Sequence, residues 1–131
     1  MSETLRVEVL ENERVVYTHA FSGAVELGRQ SDSYEELYSH RQIQPDYWRA
    51  VIAKLDEDTL SRKHLKVETT GKGRVRVTNL SAKVPAYLSG GGELAAGAVS
   101  DLALPVQLQV GRKTVQIEII ADQTVLHSLS S

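Results

Sequence analysis

Two short runs hold most of the side chains that could do chemistry. One is TLSRKHLKVE, Thr59 to Glu68, in which Ser61, Arg62, Lys63 and His64 stand in consecutive positions. The other is Gly28-Arg29, which closes the run AVELGR. A hydroxyl, guanidinium groups and an ammonium are all donors, and such a set suits an anion. A pocket for a compact oxyanion needs a guanidinium fork, hydroxyl or amide donors, and little else. A serine near a histidine also raises nucleophilic catalysis, but no Asp-His-Ser ordering and no nucleophile elbow accompany the pair. A binding site, or a charged turn with a buried imidazole behind it, remains. For Arg29 the competing reading is a surface salt bridge with one of the many carboxylates in the first half of the chain.

Other chemistries find less support. Gly71-Lys72-Gly73 lacks the GxxxxGK[ST] pattern, Gly90-Gly91-Gly92 precedes a strand-like rather than a helical segment, and HExxH is absent. The acids Asp56-Glu57-Asp58 sit together in a polar turn, where adjacent carboxylates are usually solvated. His19, His40, His64 and His127 stand too far apart for a local metal motif. Without cysteine there is no disulfide framework, thiolate zinc site or thiol nucleophile, which fits a reducing compartment. The expectation is a protein that is not an enzyme and has no catalytic residues, metal or cofactor.

Charge narrows the ligand further. The net charge of −2 conceals six Lys/Arg against twelve Asp/Glu in residues 1–60, and seven against two in residues 61–100. A local basic region inside an acidic protein suits an anionic ligand of limited size, because a nucleic-acid surface usually makes a whole domain basic. Single-strand grooves also use aromatic platforms, and residues 61–83 contain no Phe, Tyr or Trp. The start, MSETLRVEVLENERVV, has no basic stretch followed by an apolar core, and no segment approaches the roughly 18 apolar residues of a membrane span. A cytoplasmic location with neither nucleic-acid nor membrane contact is expected; oligomeric state is left open.

The elements that must position these residues are mostly strands. At 131 residues the chain is expected to form one domain over residues 1–122, with 123–131 a tail or the start of a linker. Aromatics are only 5% of the chain, so aliphatic side chains must fill the core. LRVEVLE and RVVYTHAF read as a hairpin around Glu11-Asn12-Glu13, and AVELGR as a third strand. HLKVETT and RVRVTNL form the clearest hairpin, with Leu65, Val67, Val75 and Val77 inward. PAYLS, ELAAG, DLALPVQLQV and KTVQIEII continue the rhythm. Short strands at roughly ten-residue intervals indicate an all-β, antiparallel sandwich. Residues 30–58 depart from it. Ser33 followed by Glu36 predicts a short helix through Tyr38, Pro45 prevents its continuation, and RAVIAK (49–54) resumes a strand. A partly helical insertion around residues 30–48 follows, packed on the sandwich edge or forming a binding surface.

Gly28-Arg29 ending one strand, Ser61-Arg62-Lys63-His64 opening another, and Asn79-Leu80-Ser81 further on resemble, in that order, the forkhead-associated (FHA) domain family. That family carries GR, SRxH and a later Asp/Asn-Leu-x-Ser-x-Asn-Gly segment. The resemblance runs from about Leu5 to Ile120 and implies an FHA/SMAD-like sandwich of about eleven strands that binds phosphothreonine peptides through loops at one end. It implies that Arg29 and Ser61 contact the phosphate, and that Arg62 contacts the phosphate or the peptide backbone beside it. His64 would brace the turn, with Gly28 and Asn79 as further structural support. The family's Ser-x-Asn-Gly falls here on Ala82-Lys83-Val84-Pro85. A valine replaces the asparagine that bonds the ligand main chain, a proline without an N–H replaces the glycine, and Lys83 can supply a point charge to the phosphate. The implied function is a phosphothreonine-recognition module with atypical peptide-backbone contacts, a regulatory part of a bacterial-type Ser/Thr phosphorylation signalling protein, whose partner is a phosphorylated protein or peptide. The alternative is a phosphate-independent interaction scaffold with a degenerate phosphate site.

Overall fold

The computed structural model describes residues 4–71 and 73–120; the expected tail at 123–131 lies outside them. Alternating apolar residues build twelve strands: β1 (Thr4–Glu11), β2 (Arg14–Phe21), β3 (Ala24–Arg29), β4 (Ser39–Gln44), β5 (Tyr47–Ala53), β6 (Leu65–Gly71), β7 (Arg74–Asn79), β8 (Ala86–Leu88), β9 (Glu93–Leu94), β10 (Val99–Ala103), β11 (Val106–Val110) and β12 (Lys113–Ile120). They form two six-stranded sheets, ordered β2-β1-β12-β11-β8-β9 and β10-β7-β6-β3-β5-β4. One face of each sheet is apolar, and the two faces pack together. Leu5, Val7, Val9, Leu108, Val110, Val115 and Ile117 of the first sheet are buried with Val25, Leu27, Ile52, Leu65, Val67, Val75 and Val77 of the second. The β1–β2 turn places Asn12 at φ 53° and Glu13 at φ 65°, the left-handed pair whose twist matches that of a tight hairpin.

Four of the aromatics, Tyr17, Phe21, Tyr38 and Trp48, gather along one open side. Phe21 and His19 of edge strand β2 meet His40 of edge strand β4 and Trp48 of β5; the His19 and His40 rings stack with centroids 3.6 Å apart. Tyr17 adds its hydroxyl, 3.0 Å from His40 Nδ1.

Three sequence expectations are corrected. No helix forms over 33–38, nor anywhere among the described residues. Asp32 Oδ1 does accept the N–H groups of Tyr34 and Glu35, the start of a helical cap, but the Glu35 side chain turns back to the Ser31 N–H and to Arg49. Tyr38, at φ 57°, leaves the right-handed region, and the chain enters β4. Residues 30–48 are thus an irregular loop followed by a β-hairpin. The sandwich is also not wholly antiparallel: β3 and β5 run parallel, because the loop from 30 to 38 turns the chain into β4, which runs back along β5 before the β4–β5 turn reverses it again. Finally, DLALPVQLQV is two strands in different sheets. β10 pairs with β7, the chain breaks at Leu104-Pro105, where proline offers no N–H to a ladder, and β11 pairs with β12 and β8.

Candidate functional site

The residues singled out in the sequence meet at one end of the second sheet. Backbone hydrogen bonds join three segments there. Arg29 N–H donates to Ser61 O (3.1 Å), His64 N–H to Leu27 O (2.9 Å) and Leu80 N–H to His64 O (2.7 Å). The close approach needs Gly28. A Cβ built on that residue would lie 1.9 Å from the carbonyl oxygen of Arg62, so only glycine lets the Ser61-Arg62 backbone cross β3 at this point.

His64 is fully buried between two loops. Its Nδ1 accepts the Ser61 N–H at 3.1 Å and therefore carries no proton, so Nε2–H donates to the Val84 carbonyl at 3.2 Å. Burial pushes this imidazole below its ordinary pKa, against the raising effect of the Val84 hydrogen bond. Asn79, also fully buried, donates from Nδ2 to the carbonyls of Val84 and Leu94 and accepts the Ser81 N–H. The segment from Ala82 to Pro85 is thus held by its main chain, whatever its side chains.

Ser81 decides which hydrogen Ser61 has to offer. Its Oγ accepts the N–H groups of Lys83 (3.2 Å) and Val84 (3.0 Å) and lies 2.7 Å from Ser61 Oγ. With both lone pairs engaged, the Ser81 hydroxyl hydrogen goes to Ser61, and the Ser61 O–H stays available for a ligand. Beside it, the side chains of Arg62 and Lys83 are exposed. Among the described residues neither finds an acceptor, and neither do the N–H groups of Arg62 and Lys63.

Arg29 joins the others by its backbone more than by its side chain. Its Nη1 donates to the carbonyl of Leu55 (2.5 Å), and its Nε is buried with no partner among the described residues. The guanidinium therefore leans on the turn after β5, with no hydrogen bond to the Ser61 hydroxyl. Gln30 ties the same region together: its side chain donates to Glu35 O and accepts the Leu55 N–H.

Sequence reasoning missed the buried layer underneath. Arg49, 3% exposed, faces Glu26 across the β3–β5 ladder, and Glu26 is 1% exposed. Arg49 pairs with Glu26 and with Glu35 of the loop, and Tyr47 O–H donates to Glu26. Burial, followed by that bond, pushes the Tyr47 phenol up to about 12. The hydrogen bond from Arg49 holds the Glu35 carboxyl below the ordinary carboxylate range. The available signal was an arginine inside YWRAVIA and a glutamate inside AVELGR, charges in runs that otherwise read as buried strands.

Among the described residues no group of three or more His, Asp or Glu could hold a metal ion. The arrangement has donors in excess and its histidine committed to two hydrogen bonds, a set that suits an anion.

No family model and no curated protein matches the sequence. Solved structures do match. The FHA domain of the CT664 protein from Chlamydia trachomatis is 16% identical, with a TM-score of 0.60 over 92% of this chain and 100% of its own. The FHA domain of an Arabidopsis thaliana hypothetical protein is 16% identical, with a TM-score of 0.62 over 92% of this chain and 89% of its own. An FHA structure concerned with phosphothreonine-dependent interactions is 17% identical, with a TM-score of 0.53 over 93% of this chain and 100% of its own. Nearly the whole chain therefore has the fold of forkhead-associated domains.

Proposed function

We propose that the domain is a phosphothreonine-recognition module that reads the phosphate strongly and the peptide main chain weakly. The observation carrying this reading is the unspent set of donors at the turn: the Ser61 hydroxyl, the N–H groups of Arg62 and Lys63, and the side chains of Arg62 and Lys83. Donors collected at one exposed turn without acceptors suit a multiply charged oxyanion. Arg29 completes the set by releasing the Leu55 carbonyl and swinging its fork to the phosphate. Weak main-chain reading follows from Val84 and Pro85, since the valine side chain has no amide, proline has no N–H, and the Val84 carbonyl is already shared by His64 and Asn79. The domain would serve as the regulatory part of a cytoplasmic Ser/Thr phosphorylation system of bacterial type.

Fluorescence anisotropy with a phosphothreonine peptide library and its unphosphorylated twin tests this. Binding is expected only with the phosphate, and Arg29→Ala and Ser61→Ala should each weaken it about tenfold or more, the usual effect of losing a charge-assisted hydrogen bond. Affinity no tighter than millimolar, or indifferent to both substitutions, would leave the phosphate-independent scaffold as the better reading. Light scattering and pull-downs would then be the next measurements.

A further inference from the structure

Beneath the binding turn lies a side chain that touches everything around it except solvent. Arg49 has five N–H hydrogens. Its Nε donates to Glu35 Oε2 (2.5 Å) and Nη1 to Glu26 Oε2 (3.1 Å) and Arg62 O (2.8 Å), while the two hydrogens of Nη2 serve three acceptors, Arg29 O (2.8 Å), Glu35 Oε1 (3.0 Å) and Ser31 Oγ (3.1 Å), one hydrogen being shared. All five hydrogens are used, and the residue is buried. Arg49 therefore cannot itself be a phosphate ligand.

Two of its acceptors are the main-chain carbonyls of Arg29 and Arg62, the two arginines at the mouth of the site. In a trans peptide the C=O and the following N–H point in opposite directions. Among the described residues the one cis bond is Leu104-Pro105, so the Arg62-Lys63 peptide is trans. A carbonyl of Arg62 drawn inward to Nη1 turns the Lys63 N–H outward, and that N–H is one of the two amides left without an acceptor. The same carbonyl occupies the space that a Cβ on residue 28 would take. Gly28 opens the niche and Arg49 fills its far end with a donor.

We propose that Arg49 is the positioning residue of the binding turn: it holds the carbonyls of Arg29 and Arg62 inward at a fixed spacing, and so aims the Lys63 N–H at the ligand. Glu35 orients the guanidinium by a two-oxygen clamp, which makes the loop from 30 to 38 part of the turn's support rather than a passive cover. Glu26 supplies the counter-charge from β3. The proposal rests on the phosphate reading for its consequence in binding, but the geometry of the turn can be measured without any ligand.

The test uses Arg49→Lys, which keeps the charge but cannot span two carbonyls and a carboxylate, and Glu35→Gln, which keeps the shape and loosens the clamp. Arg49→Met strands two buried carboxylates and is uninformative alone. Amide resonances and hydrogen exchange are followed by NMR in each variant, then each is titrated with a phosphothreonine peptide. The expected result is shifted resonances at Arg62 and Lys63, at least fivefold faster exchange at the hydrogen-bonded amides of Arg29, Ser61 and His64, unchanged exchange at Val67 and Val77, and about tenfold weaker phosphopeptide binding. If Arg49→Lys does not fold, Glu35→Gln carries the same expectations at reduced size. Unaltered turn amides in the folded variants, or binding within twofold of the parent, overturns the proposal. A parent protein that binds no phosphopeptide defeats the phosphate reading instead, and the exchange measurement still decides whether Arg49 holds the turn.

Discussion

His64 is the residue on which the turn depends. It occupies a fully buried position and joins the Ser61 N–H to the Val84 carbonyl, so an apolar replacement removes both partners at once. His64→Leu is expected to cost about 2–3 kcal/mol of stability, because a buried donor loses its acceptor while Val84 O keeps only Asn79. Chemical denaturation would show this as a lower midpoint at unchanged slope, and a loss under about 0.5 kcal/mol would contradict the bracing role. Lys83 sits at the other extreme. Its side chain is exposed, and a flexible ammonium there supplies charge without geometry. Lys83→Ala should therefore leave the melting temperature unchanged, weaken phosphopeptide binding no more than about threefold, and flatten the salt dependence of the affinity. An effect as large as that of Ser61→Ala would mean that Lys83 is a fixed ligand.

At the scale of elements, the site exists because β3 ends where the segment before β6 crosses it. Gly28 is the point of contact, and the atom it admits is a backbone carbonyl, which cannot rotate out of the way as the end of a side chain can. Gly28→Ala is expected to destabilise the fold by about 2–4 kcal/mol and to displace the turn, abolishing phosphopeptide binding in whatever protein remains folded. Thermal melts and an NMR fingerprint would check it; a wild-type melting temperature would show that the crossing yields easily. The β4–β5 hairpin has a second task. It places Trp48 and His40 against β2, so the insertion closes one side of the sandwich with ring contacts as well as carrying Arg49 to the site.

For the whole molecule, two imidazoles with lowered pKa, the buried His64 and the half-buried His19, weaken the fold on the acid side. Burial holds His64 and, with His40 nearby, His19 below the ordinary value of 6.5. A depressed folded pKa means that the unfolded chain takes up protons first as pH falls, so unfolding gains free energy there. The contribution of these two groups is complete above about pH 6.5 and is lost progressively below it. Glu35 and Glu11, lowered from 4.5 by Arg49 and Lys113, add a further loss under about pH 4.5. Melting temperature should therefore be level between pH 7 and 8, fall from about pH 6.5 downward, and fall less steeply in His64→Gln. A flat profile from pH 7 to 5 would exclude titration of His64 and His19 as a source of acid sensitivity.

The period-two pattern by itself determined many of the strands, though not β4, and the inward face of one hairpin: AVELGR, HLKVETT, RVRVTNL and KTVQIEII fall on β3, β6, β7 and β12 with their ends within a residue, and Leu65, Val67, Val75 and Val77 are buried. Spacing of Gly28-Arg29, Ser61 to His64 and Asn79-Leu80-Ser81 was enough to recognise one fold among the all-β possibilities. What the sequence could not carry was anything fixed by contacts between distant segments. Ser33 to Tyr38 has a helix-start signal, but Arg49 offers Glu35 a stronger partner than a helical turn does, and the loop follows it. DLALPVQLQV alternates without interruption, so only packing decides that its halves belong to different sheets. Ser81 and Arg49 act on residues 20 and 13 positions away, Ser61 and Arg62, through hydrogen bonds that no local pattern encodes. Sequence supplied the donors of the proposed anion site; tertiary structure determined which of their hydrogens remain free, because that depends on the acceptors brought to them by the rest of the chain.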